Sequence, residues 1–277
     1  MSIRLCYLNG KFVLPEEAAL PVSDLLIQRG VGIFESISTY QKRPLMLTPH
    51  LERLLAGAKS AYITPPMSLP EMRDIIMEGV KTLDEELLIK VYLSGGDVFN
   101  KMKGFTEPRF FVVYEPLIIP SRESYENGVR LEPIIDDERY DPSTKSVDYR
   151  RVFTLSANDG YAEILYCPNG EITESGHSSF FLYLNDTLVT APLTRVLKGT
   201  TRQAVIDLAR RAGMSVEERC PLLTELSQAA EAFITGSVKK ILPVARVGAQ
   251  VIGDGRPGPV TKRLSALYLE RIVEWLE

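Results

Sequence analysis

The chain has 277 residues, 45% of them hydrophobic, and a formal net charge of -4 from 32 basic and 36 acidic side chains. A length near the roughly 250–300 residues at which a single core stops growing points to two domains. The charge balance excludes the basic footprint of a nucleic-acid binder and a polybasic lipid anchor, and no apolar run reaches the roughly 18 residues of a membrane span.

The three cysteines, Cys6, Cys167 and Cys220, lie far apart and are odd in number, which fits reduced thiols in a cytoplasmic protein. Met1 to Cys6 lacks the apolar stretch and cleavage site of a signal peptide. The two histidines, His50 and His177, give no zinc spacing, so no metal is expected, and a His-dependent triad is disfavoured.

In chain order, Cys6–Leu8 and Lys11–Val13 flank Asn9-Gly10, the pair that favours a type I′ hairpin. A helix is predicted from Thr48, with Thr48 as cap, Pro49 at the first position and Leu51, Leu54, Leu55 and Ala58 on one face. A second starts at Ser68, where Glu71 completes a capping box. Strands follow at Leu87–Ser94 and Arg109–Tyr114. The polar stretch Gly95–Pro108 between them reads as a mobile, functional loop.

Pro116 and Pro120 mark a linker over 116–127, separating a small N-terminal α+β domain (1–115) from a larger strand-rich one (128–277). The second half predicts strands at Val129–Ile135, Ala162–Cys167, Ser179–Leu184, Thr187–Ala191 and Phe233–Thr235. Helices are predicted over Thr201–Ala212, closed by Gly213, and over Gly258–Leu276.

Taken singly, the polar candidates are plain. Lys145 in a polar loop is ordinarily solvated, Glu174 is one carboxylate among many, Thr200-Thr201-Arg202 suits a helix cap, and Gly236-Ser237 suits a turn. Their order says more. Gly30–Glu35, His50–Leu54, Lys145–Tyr149, Gly170–Glu174 with Ser178–Phe181, Leu188–Pro192, Leu197–Arg202, Phe233–Ser237 and Leu242–Val244 run in series. That series resembles the class IV aminotransferases, the fold type IV pyridoxal 5'-phosphate (PLP) enzymes, over nearly the whole chain.

The resemblance implies a two-domain α+β fold like that of D-amino acid aminotransferases, with the cofactor between the domains. It makes Lys145 the lysine that forms a Schiff base with the cofactor aldehyde and shuttles a proton. Glu174 becomes the carboxylate facing the pyridine nitrogen, and Tyr149 the hydroxyl at the cofactor's phenolic oxygen. Arg53, Thr200, Thr201, Gly236 and Ser237 become the phosphate ligands. An arginine fork and a helix N-terminus suit a dianion.

Some positions depart from the family pattern. Ser179 replaces the usual Asn, and the Lys145–Glu174 segment is several residues short, so its helix should be truncated. The Thr-Arg-Gly run that supplies a substrate-binding arginine in well-known D-amino acid transaminases reads Ser94-Gly95-Gly96 here. Arg29 stands where those enzymes usually carry Tyr. A D-amino acid transaminase subgroup is similar in both respects, with an arginine where this chain has His177. Arg29 and His177 are therefore the candidate substrate ligands, with a surface salt bridge as the plain reading of Arg29.

The expected reaction is amino transfer from an amino acid, D-amino acids first, to a 2-oxo acid such as 2-oxoglutarate or pyruvate. Branched-chain L-amino acid transfer, aminodeoxychorismate lyase chemistry and a non-catalytic domain of the same fold are the alternatives. The family also implies a homodimer or larger even oligomer, with Gly95–Pro108 as a loop that serves the partner's site.

Overall fold

The structure is a computed structural model that describes residues 3–155 and 160–277. Met1 and Ser2, on which the reading of the N-terminus partly rests, and residues 156–159 of the shortened Lys145–Glu174 segment lie outside the described residues. The chain divides into two compact units. One comprises Met1–Ile118, Thr144–Asp148 and Glu274–Glu277; the other comprises Ile119–Ser143 and Tyr149–Val273. Two short stretches far along the chain therefore belong to the first unit, and one of them carries Lys145.

Among its described residues the first unit is a six-stranded sheet with two long helices. In chain order it holds β1 (Leu5–Leu8), β2 (Lys11–Val13), α1 (Leu25–Arg29), β3 (Gly32–Tyr40), β4 (Arg43–Pro44), α2 (Leu47–Ser60) and α3 (Leu69–Lys81). Then come β5 (Leu87–Ser94), β6 (Phe99–Asn100), β7 (Gly104–Phe105) and β8 (Phe110–Pro116). The sheet order is β2-β1-β8-β5-β3-β4, and every neighbouring pair is antiparallel. Asn9 and Gly10 both take positive φ (52° and 81°), as the predicted hairpin turn requires.

On β5, Leu87, Ile89, Val91 and Leu93 alternate into the core and pack with Leu47, Leu51 and Leu54 of α2 and with Met72 and Ile76 of α3. One face of the antiparallel sheet is thus covered by helices. Cutting Ile76 back to Ala would cost about 2–5 kcal/mol.

Three expectations change in this unit. The first long helix starts at Leu47, with Met46 as its cap at φ 55°, so Thr48 lies inside its first turn. The Glu277 carboxylate accepts the Thr48 N–H at 2.7 Å and its hydroxyl at 2.6 Å, supplying the cap from elsewhere in the chain. Gly95–Pro108 is not structureless: β6 and β7 pair antiparallel, and Phe99 meets Phe105 at a 4.9 Å centroid distance. β3, nine residues long, was not predicted as a strand because buried Glu35, Ser38 and Thr39 interrupt its apolar alternation. The α3 capping box stands as read, with Glu71 accepting the Ser68 N–H at 2.7 Å.

The second unit begins with α4 (Arg122–Asn127), β9 (Val129–Ile134), α5 (Arg150–Leu155), β10 (Glu163–Tyr166), β11 (Ser179–Leu184), β12 (Thr187–Thr190) and α6 (Thr200–Arg211). It continues with β13 (Ser215–Glu218), β14 (Glu231–Gly236), β15 (Lys240–Val247), β16 (Gln250–Val251) and α7 (Pro259–Arg271). Its sheet runs β10-β9-β15-β14-β11-β12-β13, with β16 beside β15. Phe180, Leu182, Ile234, Leu242 and Val244 form its core.

β15 was also missed as a strand, because Pro243 demotes a strand reading; here Pro243 sits opposite Phe233. The terminal helix is shorter than predicted. α7 ends at Arg271, a 3-10 turn covers Ile272–Trp275, and the backbone beyond bonds to the first unit: Met46 N–H donates to the Trp275 carbonyl, and Glu277 N–H to that of Pro44. The α+β class expected from the sequence is the class found. Among the described residues no helix is long and apolar enough to cross a membrane.

Candidate active site

In the first unit, Lys145 lies on a short stretch laid beside the start of β3. The Phe34 N–H donates to the Lys145 carbonyl at 2.9 Å, Val147 N–H to that of Gly32 at 3.1 Å, and Ile33 bridges Ser146. The Lys145 ammonium stands 4.6 Å from the Phe34 ring centroid, an attractive arrangement for a half-buried cation. One residue along β3, the fully buried Glu35 carboxylate accepts from Arg53 Nε (2.7 Å) and Nη2 (2.6 Å), and lies 2.7 Å from His50 Nδ1. His50 and Arg53 are one turn apart on α2, so they meet Glu35 together.

Burial alone would raise the Glu35 carboxyl pKa, but the Arg53 and His50 contacts hold it down at about 2. Burial lowers the His50 pKa, with the positive Arg53 and Lys145 acting the same way against Glu35, so the ring is neutral at pH 7. Arg29 ends α1 just before Gly30, which closes the helix at φ 66°. Its side chain is exposed, and Nη1 donates to the Gln28 carbonyl at 2.9 Å. A Cβ built on Gly32 would fall 2.8 Å from Leu26 of α1 and 3.4 Å from Val147. α1 and the lysine stretch therefore converge on one bare backbone position.

In the second unit, Glu174 is buried and accepts from Arg139 Nε at 2.7 Å. Burial works against the Arg139 charge, yet Glu174 and Tyr149 raise the guanidinium pKa above its ordinary value. Arg139 also stands 5.9 Å over the Tyr149 ring, and His177 stacks on the same ring, 5.1 Å from it and nearly parallel. The Glu163 carboxylate gathers the turn after Glu174. It accepts from the Ser178 hydroxyl at 2.9 Å, the His177 N–H at 3.0 Å and the Ser175 hydroxyl, and pairs with Lys239.

Three further pieces meet that turn. Glu174 bridges Ser179 at the head of β11, and a Cβ on Gly199 would come 2.9 Å from the Ser179 hydroxyl. A Cβ on Gly236, where β14 ends, would lie 3.6 Å from the His177 carbonyl and 3.7 Å from the Ser178 hydroxyl. The second unit thus gathers Glu174, the α6 N-terminus with Thr200 and Thr201, and Gly236-Ser237 around one turn. Thr200 is half-buried, whereas Thr201 is buried against the Tyr268 hydroxyl.

A family model described as Amino-transferase class IV matches residues 32–247. The chain belongs to the class IV aminotransferase family. A Methanocaldococcus jannaschii protein provisionally named a branched-chain-amino-acid aminotransferase is 30% identical over 97% of this chain and 96% of its own length. The D-alanine aminotransferase of Bacillus licheniformis is 28% identical over 96% of each. A solved branched-chain amino acid aminotransferase from T.th., in complex with pyridoxamine 5'-phosphate, superposes with a TM-score of 0.90. It covers 100% of this chain and 99% of that one at 24% identity, which establishes the fold.

This class IV aminotransferase is accordingly a PLP-dependent enzyme that acts on amino acids and 2-oxo acids. The donor set suits that cofactor. The 12-residue α6 begins at Thr200 and is preceded by Gly199, which offers no side-chain cap, so its first-turn N–H groups meet the need of a phosphate, and bare Gly236 permits close approach.

Sequence reasoning did not single out Glu35, Arg139 or Glu163. Glu35 lay inside a quoted motif, so its carboxylate could have been paired with His50 and Arg53. Arg139 stands in the acidic run Asp136–Asp141, which reads as solvated surface, and no local signal marks it.

Proposed function

We propose that this aminotransferase prefers D-amino acids as donors and a 2-oxo acid such as 2-oxoglutarate or pyruvate as acceptor. The observation that carries the reading is Arg29: it ends the helix whose Leu26, like Val147 of the lysine stretch, stands close over the bare Gly32, while Ser94-Gly95-Gly96 offers no arginine after β5. A planar guanidinium suits an α-carboxylate, and His177 is the weaker second ligand.

Lys145 is the lysine that bonds the cofactor and carries the proton away from the substrate α-carbon. PLP supplies an electron-withdrawing ring that lowers the energy of the charge left at that carbon. Glu174 holds a proton at the pyridine nitrogen, kept in place by Arg139, and Tyr149 hydrogen-bonds the phenolic oxygen. Arg53, Thr200, Thr201, Gly236 and Ser237 take the phosphate. The Nε–Nη2 edge of Arg53 is engaged by Glu35, which fixes how the guanidinium is presented. Thr201, buried in the first turn of α6, contributes through its backbone N–H.

The same reading makes the enzyme a cytoplasmic homodimer or larger even homo-oligomer. Met102 is 93% exposed and Phe99 55%, which leaves the β6–β7 hairpin apolar in water and suited to a partner. Cys6, Cys167 and Cys220 are all free thiols. A fully active monomer at assay concentration would defeat the oligomer.

Transfer from branched-chain L-amino acids is the second reading, favoured by the names of the M. jannaschii relative and of the solved structure that holds pyridoxamine 5'-phosphate. Adding D-alanine and L-leucine separately to the holoenzyme and following the visible cofactor band separates the two. Rapid bleaching by L-leucine but not D-alanine overturns the D-specific reading.

A further inference from the structure

We propose that Arg109 is a positioning residue for the substrate arginine Arg29, acting through Asp24, the buried cap of α1. This rests on the substrate role given to Arg29 above. α1 has five residues, far fewer than the about 12–15 at which an isolated helix holds itself in water. Arg29 is its last residue, so its place depends on whatever anchors the helix from outside.

Asp24 is that anchor. It is fully buried, and its Oδ1 accepts the Leu26 N–H at 2.8 Å, capping the helix. Its Oδ2 accepts from the Ser94 hydroxyl at 2.7 Å and from Arg109 Nη1 at 2.7 Å. A carboxylate removed from water needs a cation in contact, and Arg109 is the one its hydrogen bonds reach. Arg109 is itself braced by Asp97, with Nη1 and Nη2 donating to it at 2.9 and 2.6 Å, and the Ser23 hydroxyl adds a bond to Asp97 at 3.1 Å.

Backbone bonds complete the clamp. Leu25 N–H donates to the Gly96 carbonyl at 2.8 Å, and Gly95 N–H to the Val31 carbonyl at 2.9 Å. Both ends of α1 are thereby tied to the Ser94-Gly95-Gly96 turn, the place from which the expected loop arginine is missing. Arg109 is not its replacement as a substrate ligand, since both terminal nitrogens already point at carboxylates.

The test compares Arg29→Leu, Arg109→Met, Arg109→Lys, Asp97→Ala and the Arg29→Leu/Arg109→Met double variant as holoenzymes. The readouts are kcat and KM for the preferred amino acid, and the Ki of propionate, a carboxylate that cannot react. Arg109→Met is expected to raise KM and the propionate Ki about tenfold with kcat within about twofold, because misplacement by an ångström alone can cost about 100-fold. Arg109→Lys restores part of the loss, and Asp97→Ala gives about a threefold rise in the same two constants. In the double variant, Arg109→Met adds less than about twofold to Arg29→Leu, because coupled sites are not additive.

An unchanged propionate Ki in Arg109→Met beside a raised one in Arg29→Leu overturns the positioning role alone. An unchanged Ki in Arg29→Leu overturns the substrate reading and this proposal with it. Losses that multiply in the double variant put the effect of Arg109 outside Arg29 and overturn the proposal. If Arg109→Met does not fold, Asp97→Ala and Arg109→Lys decide the matter, and an unmoved Ki in both overturns it.

Discussion

Replacing Glu35 with Gln removes one charge from a site closed to solvent. Charge-assisted hydrogen bonds from Arg53 Nε and Nη2, and a 2.7 Å contact with His50 Nδ1, end on this carboxylate, and the Arg53 side chain is only 11% exposed. The Glu35 pKa stands at about 2 against an ordinary 4.5. At about 1.36 kcal/mol per unit that difference stabilises the fold by ~3 kcal/mol at pH 7. Breaking a buried pair by removing one partner costs about 3–5 kcal/mol by a separate line of reasoning. Glu35→Gln should therefore lose about 3–4 kcal/mol.

The sign of the pH dependence follows from the depressed pKa. The stabilisation is fully present above about 4.5 and is lost as pH falls toward about 2, so the gap between the two proteins should close across that window. Urea unfolding followed by Trp275 fluorescence reads this unit directly. Trp275 is the only tryptophan, and its carbonyl accepts the Met46 N–H at the head of α2. A loss under about 0.5 kcal/mol at neutral pH, or a gap that stays constant on acidification, would refute the reasoning.

Lys145→Ala should abolish covalent cofactor attachment and nearly all turnover; borohydride reduction and peptide mapping of the wild type should find the pyridoxyl group on Lys145, and a label on another lysine would sink the assignment. Arg53→Ala should raise the Kd for PLP by about 10- to 100-fold, the worth of one charge-assisted pair, and unchanged affinity by cofactor titration would remove Arg53 from the phosphate site. Arg29→Leu should lower kcat/KM for amino acids by about 30- to 150-fold and affect amines without a carboxylate much less. Equal losses for both would make Arg29 a fold residue.

What the sequence disclosed depended on how local the cause was. The Asn9-Gly10 turn and the Ser68–Glu71 box are contained within four residues, and both were read correctly. The family series singled out the Lys145 and Glu174 segments because their order along the chain is itself information. The true start of α2 was hidden, because its carboxylate partner lies 229 residues away. The Asp24–Arg109 pair spans 85 residues and follows no periodic pattern. β3 escaped because three buried polar side chains, Glu35, Ser38 and Thr39, interrupt it. The hydrogen bonds that Glu35 and Thr39 serve are invisible to a hydrophobicity pattern.

The attachment of residues 274–277 to the first unit sets a schedule for biosynthesis. The ribosome has made the sheet, α2 and α3 once Ile118 is out, yet the carboxylate that closes the head of α2 and the carbonyl that receives Met46 belong to Glu277 and Trp275. At about 5–20 residues per second, roughly ten to thirty seconds separate those events. Through that interval the head of α2 lacks those two partners, and Leu45 lacks its backbone bridge to Leu276. A fragment stopping at residue 118 would inherit that defect permanently, and a tetrapeptide supplied in trans is the natural reagent for repairing it.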